Sequence, residues 1–131
     1  MPEKGIFDNS HAVHINRHKQ MMLFDNGTSK LLSRVLAFNI DENGRKATLE
    51  LNIPLPREMY SERMGSAYFV NDSSVLISSS KKNTVVLTNL QGRYLWLLRT
   101  GFMPYRAEFI PPELLTPYIQ ASKPQDQISR N

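Results

Sequence analysis

An internal repeat is the feature of this sequence that most limits how the chain can fold. The stretch RVLAFNIDENGRKATLEL resembles TVVLTNLQGRYLWLL, which has a shorter turn, and the phrases HAVHIN, SAYFVN and RAEFIP also correspond to one another. Ala12, Ala67 and Ala107 mark the position that these three phrases share. A unit of four short strands that recurs at about 40–45 residues is typical of a β-propeller blade.

The strand candidates fall into two sets of four. Each candidate is short, and it either alternates polar with apolar residues or is rich in β-branched residues. The first set is 12–16, 20–24, 33–40 and 47–53, and the second is 67–70, 74–79, 83–89 and 93–99. Turn sequences such as Asn43-Gly44 and Gln91-Gly92 separate the candidates, because Asn and Gly tolerate the positive φ angles of tight hairpins.

These patterns predict an all-β fold, a β-propeller fragment of about two four-stranded antiparallel blades plus the first strand of a third. The predicted partial propeller spans 10–115, with a blade at 10–53, a linker at 54–64, a blade at 65–100 and an extra strand at 104–112. An N-terminal extension at 1–9 precedes it and a polar tail at 116–131 follows it, with disorder expected in SKPQDQISRN. Pro117 is expected to interrupt any helix within 112–121. Two unrelated antiparallel meanders in a small barrel or sandwich are the alternative.

The number of predicted blades has a consequence for assembly. Propellers close their ring with about four to eight blades, whereas this sequence supplies two and the beginning of a third. Strand edges and blade faces that repeat architectures bury against neighbours would then be exposed. We therefore expect the chain to need further blades or self-association to cover them.

Composition narrows the classes of function. The 131 residues suffice for one modest domain, and the formal charge of +4 comes from scattered basic residues without a long run, so we expect no nucleic-acid partner. The sequence has no cysteine, which excludes disulfides and thiolate chemistry. No apolar run approaches the ~20 residues of a membrane helix, and the N-terminus does not read as a signal peptide. We predict no membrane partner and assign no compartment from these residues.

All three histidines lie in HAVHINRHKQMMLFDNG, at His11, His14 and His18. Imidazole is a common zinc ligand, which makes a metal site one interpretation. Strand alternation argues against it, because residues three apart point to opposite faces of a strand, and His18 falls in the hairpin turn. We predict neither a metal nor a cofactor, with His14 between blades and His18 in solvent.

The segment Asp25-Asn26-Gly27 at the end of this stretch has two interpretations. It could begin a calcium loop, but no further acidic residues follow at the required spacing. The favoured interpretation is structural: Asp25 and Asn26 bond to local backbone, and Gly27 permits a tight bend.

The longer stretch HAVHINRHKQMMLFDNGTSKLLSRVLAFNID resembles the arylsulfotransferase family of bacterial β-propeller enzymes. The resemblance lies in His11 at the start of a blade strand, in Phe24-Asp25-Asn26-Gly27 after a hairpin, and in Ser33-Arg34-Val35 before an aromatic-containing strand. The text from Gly65 to Arg99 resembles the next blade, and YRAEFIPP resembles the phrase that closes many members. The resemblance covers about residues 10–115 and implies the C-terminal portion of such a propeller.

The resemblance also implies an activity, the transfer of a sulfuryl group from an aryl sulfate to a phenol without a nucleotide sulfate donor. In that chemistry a histidine takes the group as a covalent sulfohistidine, the donor phenol leaves, and an acceptor phenol then attacks. His11 matches the position of that nucleophile. Aryl sulfates and phenols are the implied small-molecule partners, and the implied location is periplasmic or secreted.

Repeat geometry adds candidate binding residues beside His11. The innermost strand of each blade lines the channel of a propeller, and the residues equivalent to His11 are Ser66 and Arg106. Since guanidinium groups hold sulfate oxygens by paired hydrogen bonds, we predict Ser66, Arg106 and Arg34 as substrate-binding residues. The plainer alternatives are a half-buried strand histidine for His11 and a charge at a blade edge for Arg34.

The sequence departs from the family in one respect. The family's other channel groups, a second histidine with an asparagine two residues on and an arginine further along, come from earlier blades. The comparable text here, His14-Ile15-Asn16, overlaps the hairpin already assigned to His11 and has no matching arginine. The chain is therefore predicted to lack a complete active site, and a non-catalytic β-propeller interaction module is the alternative function.

Overall fold

The computed structural model describes residues 7–119, in which eight strands form two antiparallel four-stranded sheets. The first sheet holds β1 (Ser10–Ile15), β2 (Met21–Asp25), β3 (Arg34–Asp41) and β4 (Lys46–Pro54), and the second holds β5 (Ser66–Asn71), β6 (Ser74–Ser79), β7 (Thr84–Asn89) and β8 (Tyr94–Arg99). Within each sheet, strands that follow one another along the chain pair as neighbours. The predicted all-β class and the two sets of four strands are confirmed.

Side-chain oxygens hold the hairpin turns together. The Asp41 carboxylate accepts the N–H groups of Asn43 and Gly44, both at 3.1 Å. The Asn89 side-chain oxygen accepts those of Gln91 and Arg93 at 3.0 and 2.9 Å. Such bonds satisfy turn backbone that no strand partner can reach, which is why Asp and Asn recur at these positions.

The main core lies between the two sheets. We call the two faces that meet there the inner faces and the opposite ones the outer faces. The inner faces contribute Met22, Phe24, Val35, Ala37 and Ile53 from the first sheet and Ala67, Val75, Ile77 and Val86 from the second, all at most 1% exposed. A smaller cluster of Leu23, Leu36 and Phe38 lies on the first sheet's outer face, where Phe7 meets the Phe38 ring edge-on at 6.0 Å.

The strand registers relate the two sheets to each other. One cross-strand row of the first sheet is His11, Phe24, Val35 and Ile53, and the corresponding row of the second is Ser66, Ser78, Val85 and Leu98. The first row lies on an inner face, because Phe24, Val35 and Ile53 belong to the main core. The second row lies on an outer face, because successive residues of a strand point to opposite faces and its neighbours Ile77 and Val86 are inner residues. The sheets therefore stack in the same orientation, the front of one on the back of the other.

The chain after β8 differs from the prediction. Residues 104–112, predicted as an extra strand, form no strand, and a helix occupies 112–119. A strand needs a paired neighbour, and in the described part of the chain no strand pairs with this segment. The segment instead bonds to the second sheet: Ser78 Oγ donates to the carbonyl of Pro104 at 2.8 Å, and Ala107 N–H donates to Ser66 Oγ at 3.2 Å.

The helix also corrects a second expectation. It continues past Pro117, where an interruption was expected, and Thr116 Oγ1 donates to the Pro112 carbonyl at 2.7 Å one turn earlier. The rest of the predicted tail, 120–131, and most of the N-terminal extension, 1–6, lie outside the described residues. No helix between residues 7 and 119 has the length and apolar character needed to cross a membrane.

Candidate functional site

A β-bulge in β1 sets the directions of its two histidines. His11 pairs with Phe24 and His14 with Met22, so three steps along β1 match two steps along β2. The extra residue is accommodated at Ala12, whose φ is 55°. Because Met22 and Phe24 share the inner face, His11 and His14 both belong to that face. The expectation that they point to opposite faces is wrong.

The imidazole of His11 bonds to one partner in the described structure, the side chain of Asn26. Its Nδ1 lies 2.7 Å from Asn26 Oδ1. Asn26 sits two residues after Phe24, the cross-strand partner of His11, so the two side chains are diagonal neighbours on the same face. The histidine ring is partly exposed, whereas the amide is fully buried.

Asn26 in turn ties the first sheet to the linker before the second. Its Nδ2 donates to the carbonyls of Ser61 at 2.8 Å and Met64 at 2.7 Å. Ser33 Oγ donates to the Asn26 carbonyl at 2.9 Å and accepts the Ser61 N–H at 3.0 Å. The prediction that Asn26 bonds to local backbone is wrong, because its side chain reaches residues 35 and 38 positions away.

His14, Tyr68 and Arg106 form a stack where β1, β5 and the segment after β8 meet. The His14 and Tyr68 rings lie 4.5 Å apart between centroids, and the Arg106 guanidinium lies 5.7 Å from the centre of the Tyr68 ring. His14 Nδ1 donates to the Ala12 carbonyl at 2.8 Å. Arg106 is exposed and pairs loosely with Glu108 at 3.4 Å. The stack brings a cation to the strand that carries His11.

The other predicted binding residues are placed differently. Ser66 is fully buried, and its hydroxyl accepts the Ala107 N–H. Arg34 pairs with Asp25 both in the strand register and by an ion pair of 2.8 Å. Asp25 follows Phe24, so the pair occupies the first sheet's outer face, opposite to His11. The structure thus brings Arg106 toward the histidine strand and keeps Arg34 away from it.

Asp25 and Asp8 order the turn that follows β2. Asp25, 2% exposed, accepts the Asp8 N–H at 2.7 Å, and the Asp8 carboxylate accepts the Ser29 N–H at 2.7 Å and the Thr28 hydroxyl at 2.9 Å. The bond from Ser29, followed by that from Thr28, holds the pKa of Asp8 below its ordinary value. A lowered carboxyl pKa stabilises the fold above the ordinary value, and this contribution is lost as the pH falls through the folded value.

His18 lies in the β1–β2 turn, exposed as predicted, but it has neighbours in the second sheet. Its ring meets the edge of Phe69 at 4.9 Å between centroids, and its Nε2 lies 3.6 Å from the Asp72 carboxylate, which Arg17 also approaches at 3.4 Å. Within residues 7–119, no three His, Cys, Asp or Glu side chains gather in a way that could hold a metal ion.

The sequence reasoning missed two members of this constellation. Asn26 lies in a motif that also predicts an ordinary turn. Its position two residues after Phe24, the cross-strand partner of His11, identifies it only once the β1–β2 register is known. Tyr68 had no signal of its own, because its role depends on the contact between β1 and β5.

Comparison of the chain with protein-family models, with curated proteins and with solved structures found no match. The contacts of His11 and Asn26, together with the resemblance of the FDNG segment and its upstream histidine, are therefore what indicates a function for the chain.

Proposed function

We propose that this chain is part of an aryl sulfotransferase β-propeller and that His11 is the residue that carries the sulfuryl group between an aryl sulfate and a phenol. The observation that carries the proposal is the hydrogen bond between His11 Nδ1 and Asn26 Oδ1. An amide oxygen only accepts, so Nδ1 carries the proton, and Nε2 of the neutral ring has a free lone pair. A histidine held in this way is an oriented nucleophile.

Two features of the fold support a propeller rather than a closed two-sheet sandwich. The sheets stack front to back, as successive blades do, whereas two related sheets in a sandwich most simply meet by equivalent faces. In addition, each sheet bonds in a similar way to the segment that follows it. In the first sheet, the Asn26 side chain donates to linker carbonyls of Ser61 and Met64. In the second sheet, two serine hydroxyls bond to the backbone of Pro104 and Ala107. The segment 104–110 then marks where a third blade begins.

The proposed reaction has two steps, and in each of them one bond to sulfur forms while another breaks. In the first step the Nε2 lone pair forms an N–S bond while the S–O(aryl) bond breaks, and the departing phenolate takes the electron pair. In the second step an acceptor phenol gives its proton to solvent, its oxygen attacks sulfur, and the N–S electron pair returns to Nε2. Arg106, whose guanidinium lies over the Tyr68 ring, is the cation that we assign to the sulfate oxygens.

The departing phenolate needs a proton donor and further cationic stabilisation. By resemblance, those groups come from preceding blades and not from residues 7–119. Preorganised charge of this kind often supplies the largest share of catalysis. We therefore propose that the chain by itself forms the sulfohistidine slowly and that further blades speed the transfer. We also propose that its location is periplasmic or secreted, as in the family.

The decisive experiment incubates the purified chain with 4-nitrophenyl sulfate and phenol, and follows both nitrophenol release and the sulfuryl adduct by mass spectrometry. We expect an adduct on His11 and its loss, with a fall in any release by roughly a thousandfold or more, in His11→Ala. His18→Ala, which removes another histidine of the same hairpin, is the matched control and keeps the adduct. Absence of an adduct from the wild-type chain, or release unaffected by His11→Ala, would refute the proposal.

A second candidate function, a non-catalytic interaction module, is favoured by an apolar groove on the second sheet's outer face. The groove has a volume of about 800 Å³ between that face and residues 102–110, and Leu76, Leu87, Trp96 and Leu98 line it. Trp96 of this groove is 49% exposed.

The groove adjoins β8, an edge strand whose five residues Tyr94–Leu98 carry no charge and no proline. Free edges of this kind are templates for pairing. The occupant we propose is a second copy of the chain, bound by the same patch.

This candidate has a built-in reporter, because Trp96 is the sole tryptophan of the sequence. We expect Trp96 emission to shift to the blue and the sedimentation coefficient to rise with protein concentration. Leu98→Lys, inside the groove, is expected to weaken association about tenfold or more, since it buries a charge. Leu97→Lys, on the other face of β8, is the matched control. Sedimentation as a monomer at all concentrations would rule out self-association through the groove.

A further inference from the structure

Asn26 has every polar group of its side chain engaged although it is fully buried. Two backbone carbonyls, of Ser61 and Met64, face its nitrogen at 2.8 and 2.7 Å. The imidazole of His11 faces its oxygen at 2.7 Å. These three partners use both amide protons and one acceptor site.

The partners also fix which way the amide points. A carbonyl oxygen can only accept, so the two contacts with Ser61 and Met64 require the NH₂ group on that side. Turning the amide over would set its oxygen against two other oxygens and leave that buried oxygen without a donor, at a cost of about 1–3 kcal/mol. Asn26 therefore has one orientation, with its oxygen toward His11.

We infer that Asn26 is a positioning residue that selects Nε2 as the reactive atom of His11. With the amide oxygen fixed against it, Nδ1 must carry a proton, and the neutral ring is held as the Nδ1–H tautomer. Its lone pair then lies on Nε2, the nitrogen turned away from the amide. The part of this inference that concerns reactivity depends on the proposed sulfuryl transfer, whereas the tautomer does not.

An amide suits this task better than a carboxylate would. A carboxylate beside Nδ1 stabilises the doubly protonated imidazolium, which has no lone pair and cannot attack sulfur. Asn26 accepts the same hydrogen bond without adding charge. During transfer the Nδ1 proton stays in place, so the sulfated ring keeps a positive charge, and Nε2 is a good leaving group when the acceptor attacks.

The orientation of His11 thereby depends on the linker between the sheets. Met64, whose carbonyl accepts one of the two Asn26 amide protons, has a φ of 58° and precedes Gly65, the residue just before β5. Ser33 joins the same network through Ser61. The tautomer is thus set by backbone that belongs to the junction of the two sheets rather than to the histidine's own strand.

The test is ¹⁵N NMR of the histidine rings in the full chain, assigned with His11→Ala. We expect the neutral His11 ring to show a protonated Nδ1 and an unprotonated Nε2. Asn26→Asp is expected to raise the midpoint of the His11 titration by about one to three pH units. Asn71→Asp, which adds the same charge at the exposed end of β5, is the matched control and leaves that midpoint unchanged.

The outcomes separate this inference from the proposed function. A wild-type ring protonated at Nε2, or a titration unmoved in folded Asn26→Asp, overturns the role of Asn26. The tautomer measurement needs no Asn26 variant, so the inference is tested even if Asn26→Asp does not fold. If the tautomer is as expected and no sulfuryl adduct forms, the positioning stands and sulfuryl transfer by this chain fails. If the tautomer is as expected and the adduct forms, the acidic limb of the pH–rate profile shifts to higher pH in Asn26→Asp, and KM changes little.

Discussion

Gly27→Ala is expected to destabilise the protein by roughly 2–6 kcal/mol, a large part of the ~5–15 kcal/mol available to a domain. The φ of Gly27 is 64°, where side chains other than glycine are strained by about 1–3 kcal/mol. A Cβ at this position would also overlap the Leu32 carbonyl oxygen, which is backbone and cannot rotate away. Overpacking of this kind adds about 1–3 kcal/mol.

The effect would spread to the site, because Gly27 follows Asn26 and donates its N–H to the Asp8 carbonyl at 2.9 Å. Urea denaturation followed by circular dichroism measures the loss. The control is Gly101→Ala, where an added Cβ meets nothing within 4 Å. Its free energy of unfolding is expected to change by at most about 0.5 kcal/mol. Equal midpoints for the two variants would show that the turn relaxes to accept a side chain.

The strands and turns could be predicted from the sequence because their signals are local. Alternation in TVVLTN or RVLAFNI requires only that one face be buried, and Asp41 and Asn89 bond to turn backbone within four residues of themselves. The repeat added the pairing order, since consecutive strands with short turns pair as neighbours. These inferences needed no knowledge of how the two sheets contact each other.

The site was harder to predict from the sequence, because it depends on two features that no single residue indicates. The bulge at Ala12 turns His14 to the same face as His11, and alanine is not a residue whose presence predicts a positive φ. The partners of Asn26 are carbonyls of a linker 35 and 38 residues later. The strand predicted at 104–112 failed for a related reason: the pattern of RAEFIP fits a strand, but a strand forms only where another strand pairs with it.

Arg34→Met is expected to destabilise the protein by up to about 3–5 kcal/mol, because it leaves the buried Asp25 carboxylate without its cation. Asp25 is 2% exposed, and the Arg34 Nε lies 2.8 Å from its carboxylate. Methionine retains most of the apolar stem of the arginine, so the loss reports on charge more than on packing. Urea denaturation at neutral pH, where the carboxylate is ionised, measures it.

A second substitution separates charge from the remaining contacts of Arg34. In the double variant Asp25→Asn/Arg34→Met, no buried charge is left, and the asparagine oxygen can still accept the Asp8 N–H that Asp25 accepts at 2.7 Å. We therefore expect the double variant to be more stable than Arg34→Met alone, with a coupling energy of about 1–3 kcal/mol in the double-mutant cycle. A substrate-binding role for Arg34 makes the opposite prediction, unchanged stability in Arg34→Met with weaker binding of the aryl sulfate. Since Arg34 and His11 occupy opposite faces of one sheet, we expect the cycle to show the ion pair and not the ligand.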